Sequence, residues 1–432
     1  MQKGISLRVW NIEELPSDWF TRQKVNPQYV EELDETVKSI IDKVKMKGDT
    51  ALVEFALRFE KAKLAAGTLQ VRPEEIDEAY KKTASDKVAA IKFMKERITN
   101  FQQRLLNLSD ISLTNDGISV RTVIRPIESV GCYVPGGQAA YPSTLVMTAV
   151  PAKIAGVQRI VVCSPSNSEG EVNPLVLIAA DMCGVDEVYK VGGAQAIAAL
   201  AYGTKTIRPV CKIVGPGNQY VTEAKVLVSK DVAIDMPAGP SEVLILADEL
   251  ADPKLISYDM ISQAEHGSDS VAGLITTSSR IAAEVKKYLA KIVPSSERSD
   301  KISASLEKYG FIIVCKTTED MICLANQFAA EHLEVMTENA RFLAEKLIAG
   351  LILIGPYSPV PLSDYASGTN HVLPTNGFAN SFSGLTVSDF LRRVSIVEST
   401  KAGLRKVTEN LKVLTDSEGL PNHYKAIVAR FE

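Results

Sequence analysis

Between residues 142 and 228 short apolar runs alternate with longer helical ones, and few folds accommodate that rhythm. A helical run from Pro142 ends at Gly156 and feeds RIVVC (159–163); another from Pro174 ends at Gly184 and feeds EVYKV (187–191). Gly192 and Gly193 then open a helix through AQAIAALAYG, followed by VCKIV (210–214), the turn GPGN (215–218) and the helix QYVTEAKVLV. Strands of about five residues separated by helices of about ten to twelve predict βαβ units, and hence a parallel sheet covered on both faces. The paired units at 155–163 and 183–191 are too few for a repeat architecture.

Further along, EVLILAD (242–248) and FIIVCK (311–316) predict buried strands, followed by helices at 252–265 and 318–330. The first 110 residues read as helical instead. Apolar residues recur at helical spacing through 35–61 and 88–106, and Gly48 divides the first stretch. The chain is therefore expected to be α/β, with two Rossmann-like parallel-sheet domains whose dinucleotide motifs are incomplete, plus small N- and C-terminal helical extensions. The expected boundaries are an N-terminal extension at 1–27, a discontinuous main domain of 28–131 with 241–385, an inserted domain at 132–240 and a C-terminal helical tail at 386–432. In that tail Leu404, Val407, Leu411 and Leu414 form one apolar stripe. A single stripe is too little to hold a helix alone, so the tail must dock, and a second subunit offers one such surface.

Hydrophobic residues make up 46% and charged residues 23%, ordinary for folded domains. A formal charge of −4 gives no electrostatic reason to expect nucleic acid or an anionic membrane as partner. Apolar runs such as GLILIG (350–355) are too short to span a bilayer. The start, MQKGISLRVWNIEEL, lacks the apolar core of a signal peptide and the Arg/Ser-rich character of a transit peptide, so a cytoplasmic location is expected. Six cysteines without C-x-x-C spacing are expected to be reduced and mostly buried. Cys132, beside a glycine loop, is a candidate nucleophile.

All four histidines fall in short polar segments: His266 in SQAEHG, His332 in AAEHLEV, His371 in SDYASGTNHVLPT and His423 in SEGLPNHYK. Imidazole changes charge near neutrality and is the commonest metal ligand, so this placement points to an enzyme. Gln263 and His266 are spaced i, i+3 on a predicted helix, which puts both on one face, and Gly267 is expected to end that helix. Two ligands are too few for zinc, which usually takes four; Asp364 and His423 can complete an oxygen and nitrogen set. Glu331 and His332 are adjacent, and helical neighbours point about 100° apart. The pair is thus expected to flank a substrate in two acid–base roles rather than to touch. A surface Glu beside a capping His explains the same two residues. Asp364 likewise serves an Asx-turn as readily as a site, and Ser241 in DMPAGPSE stands at a strand end.

Of three glycine loops, YVPGG (133–137), VGGAQ (191–195) and VGPGNQY (214–220), the last two lie between a strand and a helix, where free N–H groups and the helix dipole favour a phosphate. None completes G-x-G-x-x-G, since Tyr220 stands where the third glycine would be. Tight turns that need positive φ explain them equally well.

In order, YVPGG, GGAQAIAALAYGT, GPGN-x-YVTEAK, DMPAGPSE, SQAEHG, EHLE, DYASGTNHVLPT and EGL-x-x-H resemble the histidinol dehydrogenase family. The resemblance implies oxidation of L-histidinol to L-histidine with two NAD⁺ and one water through a bound aldehyde, the last two steps of histidine biosynthesis. It implies zinc on Gln263, His266, Asp364 and His423, and NAD contacts at Tyr133, Gln195 and Asn218. Substrate would touch Ser241, the zinc ligands, His332 and Glu418, with His371 a further candidate. His332 would be the base for the alcohol, and Glu331 would activate water for the aldehyde. It also implies a homodimer whose C-terminal tail, with Glu418 and His423, reaches the other subunit's site. Two positions depart from the pattern: Ala330 stands where proline is expected, and Ser363 where glycine is expected. A zinc hydrolase using the same Gln263, His266, Asp364 and His423 with Glu331 as base is the rival reading, but it leaves the glycine-turn domain without a task.

Overall fold

The computed structural model describes residues 7–16, 19, 27–106, 112–136 and 140–432. Its strands are β1 (Arg8–Asn11), β2 (Ser112–Asn115), β3 (Ile118–Pro126), β4 (Ser129–Tyr133), β5 (Arg159–Ser164), β6 (Glu187–Lys190), β7 (Lys212–Val214), β8 (Ala233–Ile234), β9 (Glu242–Ala247), β10 (Val271–Thr276), β11 (Phe311–Val314), β12 (His332–Met336), β13 (Leu351–Ile354) and β14 (Leu391–Ser399). A five-stranded sheet runs β6-β5-β4-β7-β8 and a six-stranded sheet runs β1-β11-β10-β9-β12-β13. Every pairing in both is parallel. The predicted α/β class with two Rossmann-like parallel sheets is what the chain forms.

Local chemistry sets the element ends. The helices Pro142–Ala155, Pro174–Cys183 and Pro253–Ala264 each begin with proline in the first turn, where its missing N–H costs nothing. Gly156 and Gly184 end the first two in left-handed conformation, and Gly48 (φ +53) separates Pro27–Lys47 from Asp49–Phe55.

The core divides differently from the expected grouping of 28–131 with 241–385. Val37, Ile40, Ile41 and Val44 share a cluster with Tyr133, Val161, Ile197 and Ile213. Ile91, Met94 and Ile98 share another with Val130, Leu145, Ile160 and Ile178. The N-terminal helices therefore cover the five-stranded sheet, because its parallel strands are apolar on both faces and need a helical layer on each. The six-stranded sheet draws its two apolar layers from residues 243–360, with Leu7, Trp10, Ile12, Leu15 and Trp19 added from the segment around β1.

Both extensions also differ from expectation. The 1–27 segment, of which 1–6, 17–18 and 20–26 lie outside the described residues, supplies β1 as an edge strand parallel to β11. The tail 386–432 is not wholly helical, since β14 pairs antiparallel with β3 over nine residues, and β2 completes that third sheet. Beyond it lie the helices Lys401–Ser417 and Pro421–Val428, and Gly403 is the one buried residue between 401 and 432. Leu404, Val407 and Leu411 of the stripe are half-buried and Leu414 is exposed. Among the described residues no helix is long and apolar enough to cross a membrane.

Candidate active site

The helix Thr318–Phe328 stops because Ala329 adopts a left-handed conformation (φ +46). The chain then runs extended into β12, whose five residues are all buried. Glu331 and His332 thus enter a strand between β9 and β13, not a helix, and the expectation that they stay apart is corrected. His332 Nδ1 lies 3.6 Å from Glu331 Oε2 and 3.3 Å from the Glu242 carbonyl oxygen. Glu331 Oε2 accepts the Glu242 backbone N–H at 2.7 Å.

Asp364 is the penultimate residue of the short helix Val360–Tyr365, and its Oδ1 stands between two imidazoles, 3.8 Å from His332 Nε2 and 3.9 Å from His371 Nδ1. His371 Nε2 reaches Thr144 Oγ1 at 3.4 Å, and Asn370 Nδ2 donates to the Met147 carbonyl at 2.7 Å. Both contacts are to the helix that follows β4. The polar loop after Asp364 is therefore pinned to the five-stranded unit on one side. On the other, the Asn376 N–H donates to Glu242 Oε1 at 3.1 Å. The acid–base residues meet where the two parallel sheets meet.

Burial pushes the His332 pKa down, but the Glu331 carboxylate and then Asp364 outweigh it, leaving the imidazole at about 9. Burial also pushes His371 down; Asp364 opposes this, and the neighbouring His332 adds to it. Two imidazoles of opposite tendency around one carboxylate separate an acid from a base.

Gln263 is 1% exposed, and neither its amide nitrogen nor its oxygen finds a partner among the described residues. His332 Nε2 is likewise buried and unpartnered. Buried amides are seldom left orphaned, so these atoms fit a ligand or ion that satisfies them. The helix ends at Ala264, two residues before His266 rather than at Gly267 as predicted, and exposed His266 meets the Gln263 carbonyl with Nδ1 at 3.3 Å. Ser241 immediately precedes β9, as expected. Glu418 and His423 are both exposed on the tail, and no hydrogen bond or ion pair joins them to the cluster among the described residues. Nor do three or more His, Cys, Asp or Glu side chains converge as a metal site within the described part of one chain.

The glycine loops lie at the carboxyl edge of the five-stranded sheet. There the chain leaves β4 toward β5 on one side and later returns as β7 on the other, the crevice where open α/β sheets bind ligands. Tyr133 Oη accepts the Gly193 N–H at 3.0 Å, and the Gln195 amide folds back over Gly193. Asn218 caps the helix Gln219–Val228 by accepting from the Tyr220 and Val221 N–H groups. Gly137 of the first loop lies outside the described residues. A buried pair braces the third loop. Lys225 Nζ sits 2.5 Å from Asp235 Oδ1 and donates to the Gly215 carbonyl at 2.9 Å, while the Gly215 N–H donates to Asp235 Oδ2 at 2.8 Å. Cys132 is fully buried and burial pushes its thiol up to about 12, so it is no nucleophile.

Sequence reasoning missed Glu242 and Thr144. For Glu242 the available signal was a charged residue opening an otherwise apolar strand, EVLILA, because a buried charge must have a partner.

Two parallel sheets with an acid–base cluster at their junction define an α/β enzyme. The family model described as "Histidinol dehydrogenase" matches residues 23–431. A histidinol dehydrogenase of Methanosarcina mazei is 43% identical over 93% of this chain and 92% of that protein. One from Oceanobacillus iheyensis is 41% identical over 99% and 98%. The crystal structure of the Elizabethkingia anophelis histidinol dehydrogenase superimposes with a TM-score of 0.91 at 34% identity, over 99% of this chain and 98% of that one. The chain belongs to the histidinol dehydrogenase family, oxidoreductases that oxidise histidinol in histidine biosynthesis. The hydrolase reading falls with that membership.

Proposed function

We propose that the chain carries out both oxidations, L-histidinol to a bound aldehyde and the aldehyde to L-histidine, with two NAD⁺, one water and a zinc ion. The observation that carries the reading is the buried His332 Nε2, unpartnered among the described residues, with Asp364 Oδ1 3.8 Å away; the buried Gln263 amide adds two more unpartnered atoms. The donor set suits the ion, since imidazole and carboxylate are its ordinary ligands and glutamine adds a neutral oxygen. When bound, NAD⁺ accepts one hydride in each oxidation, and Zn²⁺ anchors the imidazole and amine of the substrate.

Gln263, His266 and Asp364 would hold the ion, with His423 contributed by a second copy of the chain. Tyr133, Gln195 and Asn218 line the cofactor side; Ser241, His332 and Glu418 touch substrate, His371 standing behind Asp364. His332 takes the alcohol proton at Nε2 as the carbinol C–H leaves as hydride. The Glu331 and Asp364 carboxylates, which raise the pKa of this imidazole to about 9, favour the imidazolium that forms as the proton arrives. Glu331, its Oε2 fixed by the Glu242 N–H, keeps Oε1 for a water, takes that water's proton as it adds to the aldehyde, and so forms the diolate anion whose C–H leaves as the second hydride. The partly exposed stripe and the exposed Glu418 and His423 support a homodimer with shared sites.

The test is NADH formation from L-histidinol before and after chelation. Two NADH per histidinol, loss on chelation and recovery with Zn²⁺ are expected. Turnover unaffected by complete removal of the metal overturns the zinc assignment, and no NADH from histidinol overturns the whole reading.

A further inference from the structure

Glu60 comes from the N-terminal helices, which the proposed reaction leaves unused, and its carboxylate ends at the carboxyl edge of the five-stranded sheet. It is the last residue of the π-helical turn Ala56–Glu60, which continues the helix Asp49–Phe55. Such turns are rare and are frequent at functional sites. The carboxylate spans two loops. Its Oε2 accepts the Ser166 N–H at 3.0 Å and the Ser166 hydroxyl at 3.3 Å, just past β5. Its Oε1 accepts the Gly192 N–H at 3.2 Å, just past β6. A Cβ at Gly192 would stand 2.5 Å from Pro165 Cβ and 2.9 Å from Glu60 Oε1, so glycine there lets both loops close on the carboxylate.

These bonds change what the VGGAQ loop can do. The loop opens the helix Gly193–Tyr202, and free N–H groups in that place suit a phosphate. The Gly192 N–H is taken by Glu60, and the Gly193 N–H by Tyr133 Oη. A carboxylate of the chain itself thus stands where an external anion would bind. No lysine or arginine pairs with it among the described residues. Burial pushes the Glu60 pKa up, while its three donors favour the ionised form.

The order β6-β5-β4-β7-β8 makes β4 the first strand of a dinucleotide-type sheet and β5 the second. In such sheets an acid about 20 residues past the glycine fingerprint bonds the ribose 2′-hydroxyl, and a 2′-phosphate calls for an arginine instead. Here β5 runs out into Ser164, Pro165 and Ser166, without an acid of its own. We propose that Glu60 fills that position from outside the sheet and sets a preference for NAD⁺ over NADP⁺, its carboxylate taking the donors past β5 and β6 and repelling a 2′-phosphate. This rests on the reading of the crevice as the NAD⁺ site.

The test is calorimetric titration of the whole enzyme with NAD⁺ and with NADP⁺. The wild type is expected to bind NADP⁺ about tenfold or more weakly than NAD⁺, because like charges face each other. Glu60→Gln removes the charge and keeps an oxygen for Ser166, and is expected to narrow that ratio about fivefold or more. Glu60→Asp keeps the charge on a shorter stem. It is expected to weaken both dinucleotides while the ratio stays within about threefold of wild type. A Glu60 that only braces the loops would raise both Kd values together in every variant. An unchanged ratio in Glu60→Gln, a ratio lost equally in Glu60→Asp, or a wild type without preference overturns the proposal. If Glu60→Gln does not fold, Glu60→Ala takes its place with the same expectation. A wild type that binds neither dinucleotide overturns the cofactor reading, and this inference with it.

Discussion

Glu331 and Glu242 exchange hydrogen bonds across adjacent strands: the Glu242 N–H donates to Glu331 Oε2 at 2.7 Å, and the Glu331 N–H donates to Glu242 Oε2 at 3.4 Å. Glu242 Oε1 also accepts the Asn376 N–H. Each of its oxygens therefore faces a backbone donor. Glu242→Gln turns one of them into a donor pointed at a donor, which costs about 1–3 kcal/mol for the group left unsatisfied. A lower thermal midpoint is expected, with kcat falling more than KM because Glu331 loses its fixed position. An unchanged kcat would show that the exchange does not hold Glu331.

The closeness of His332 Nδ1 to Glu331 Oε2, 3.6 Å, raises the question of whether the two act as one group. The proposed mechanism gives them separate steps. His332→Ala is expected to slow histidinol oxidation by about 10²–10⁴-fold. Glu331→Gln is expected to slow chiefly the oxidation of supplied aldehyde. Single-turnover measurements with each substrate separate these effects, and equal losses on both steps for Glu331→Gln would count against the division.

Gly215 has φ +115, and a Cβ there would lie 2.2 Å from the Tyr133 carbonyl oxygen. Backbone cannot retreat as a side-chain tip can. Gly215→Ala therefore costs about 1–3 kcal/mol from conformation alone, and the overlap adds to it by parting the third glycine loop from β4. Weaker NAD⁺ binding by calorimetry is expected together with a lower midpoint. A variant that binds NAD⁺ as the wild type does would show that this loop is not part of the cofactor site.

How much of this was legible in the sequence follows the range of the interactions. RIVVC, EVYKV and EVLILA announced buried parallel strands because their partners also demand apolar faces, and Gly156 and Gly184 marked helix ends by local backbone need. The pairing of β14 with β3 was not legible. Their residues are exposed or half-buried, mix Arg392, Arg393 and Glu398 with Val394 and Ile396, and find one another across most of the chain. In the site, the residue types in EHLE and SQAEHG signalled chemistry, but the contact between Glu331 and His332 depends on Glu242, 89 positions away. Strand or helix at 331–332 turned on Ala329 alone, an alanine in a conformation that its identity does not advertise.

Glu187 binds Arg159 at 2.7 Å and also takes bonds from Tyr189 and Arg208. The Arg159 hydrogen bond, working against burial, lowers its pKa from 4.5 to about 2. A carboxyl depressed on folding stabilises the folded chain above its unfolded pKa and loses that contribution as pH falls toward the folded value. The contribution, about 1–2 kcal/mol after solvent screening, is thus full above about pH 5 and fades between pH 4.5 and 2. Urea unfolding at pH 7 and pH 3 is expected to show a smaller pH dependence for Glu187→Gln than for the wild type. Identical dependence would mean that the pair does not couple to folding.

The tail supplies the sharpest test of a shared site. His423 lies on the exposed helix Pro421–Val428, and Val413, Leu414 and Leu420 nearby are 65%, 57% and 40% exposed. Exposed apolar residues grouped on one tail favour an interface. If His423 serves the other subunit, His423→Ala and His332→Ala damage different halves of each site. A dimer of one variant with the other then carries one site with both lesions and one with neither. Random reassortment makes half the dimers mixed, so two inactive preparations, unfolded and refolded together, are expected to recover roughly a quarter of wild-type turnover. If His423 instead completes the site of its own chain, every site in the mixture keeps one lesion and no activity returns.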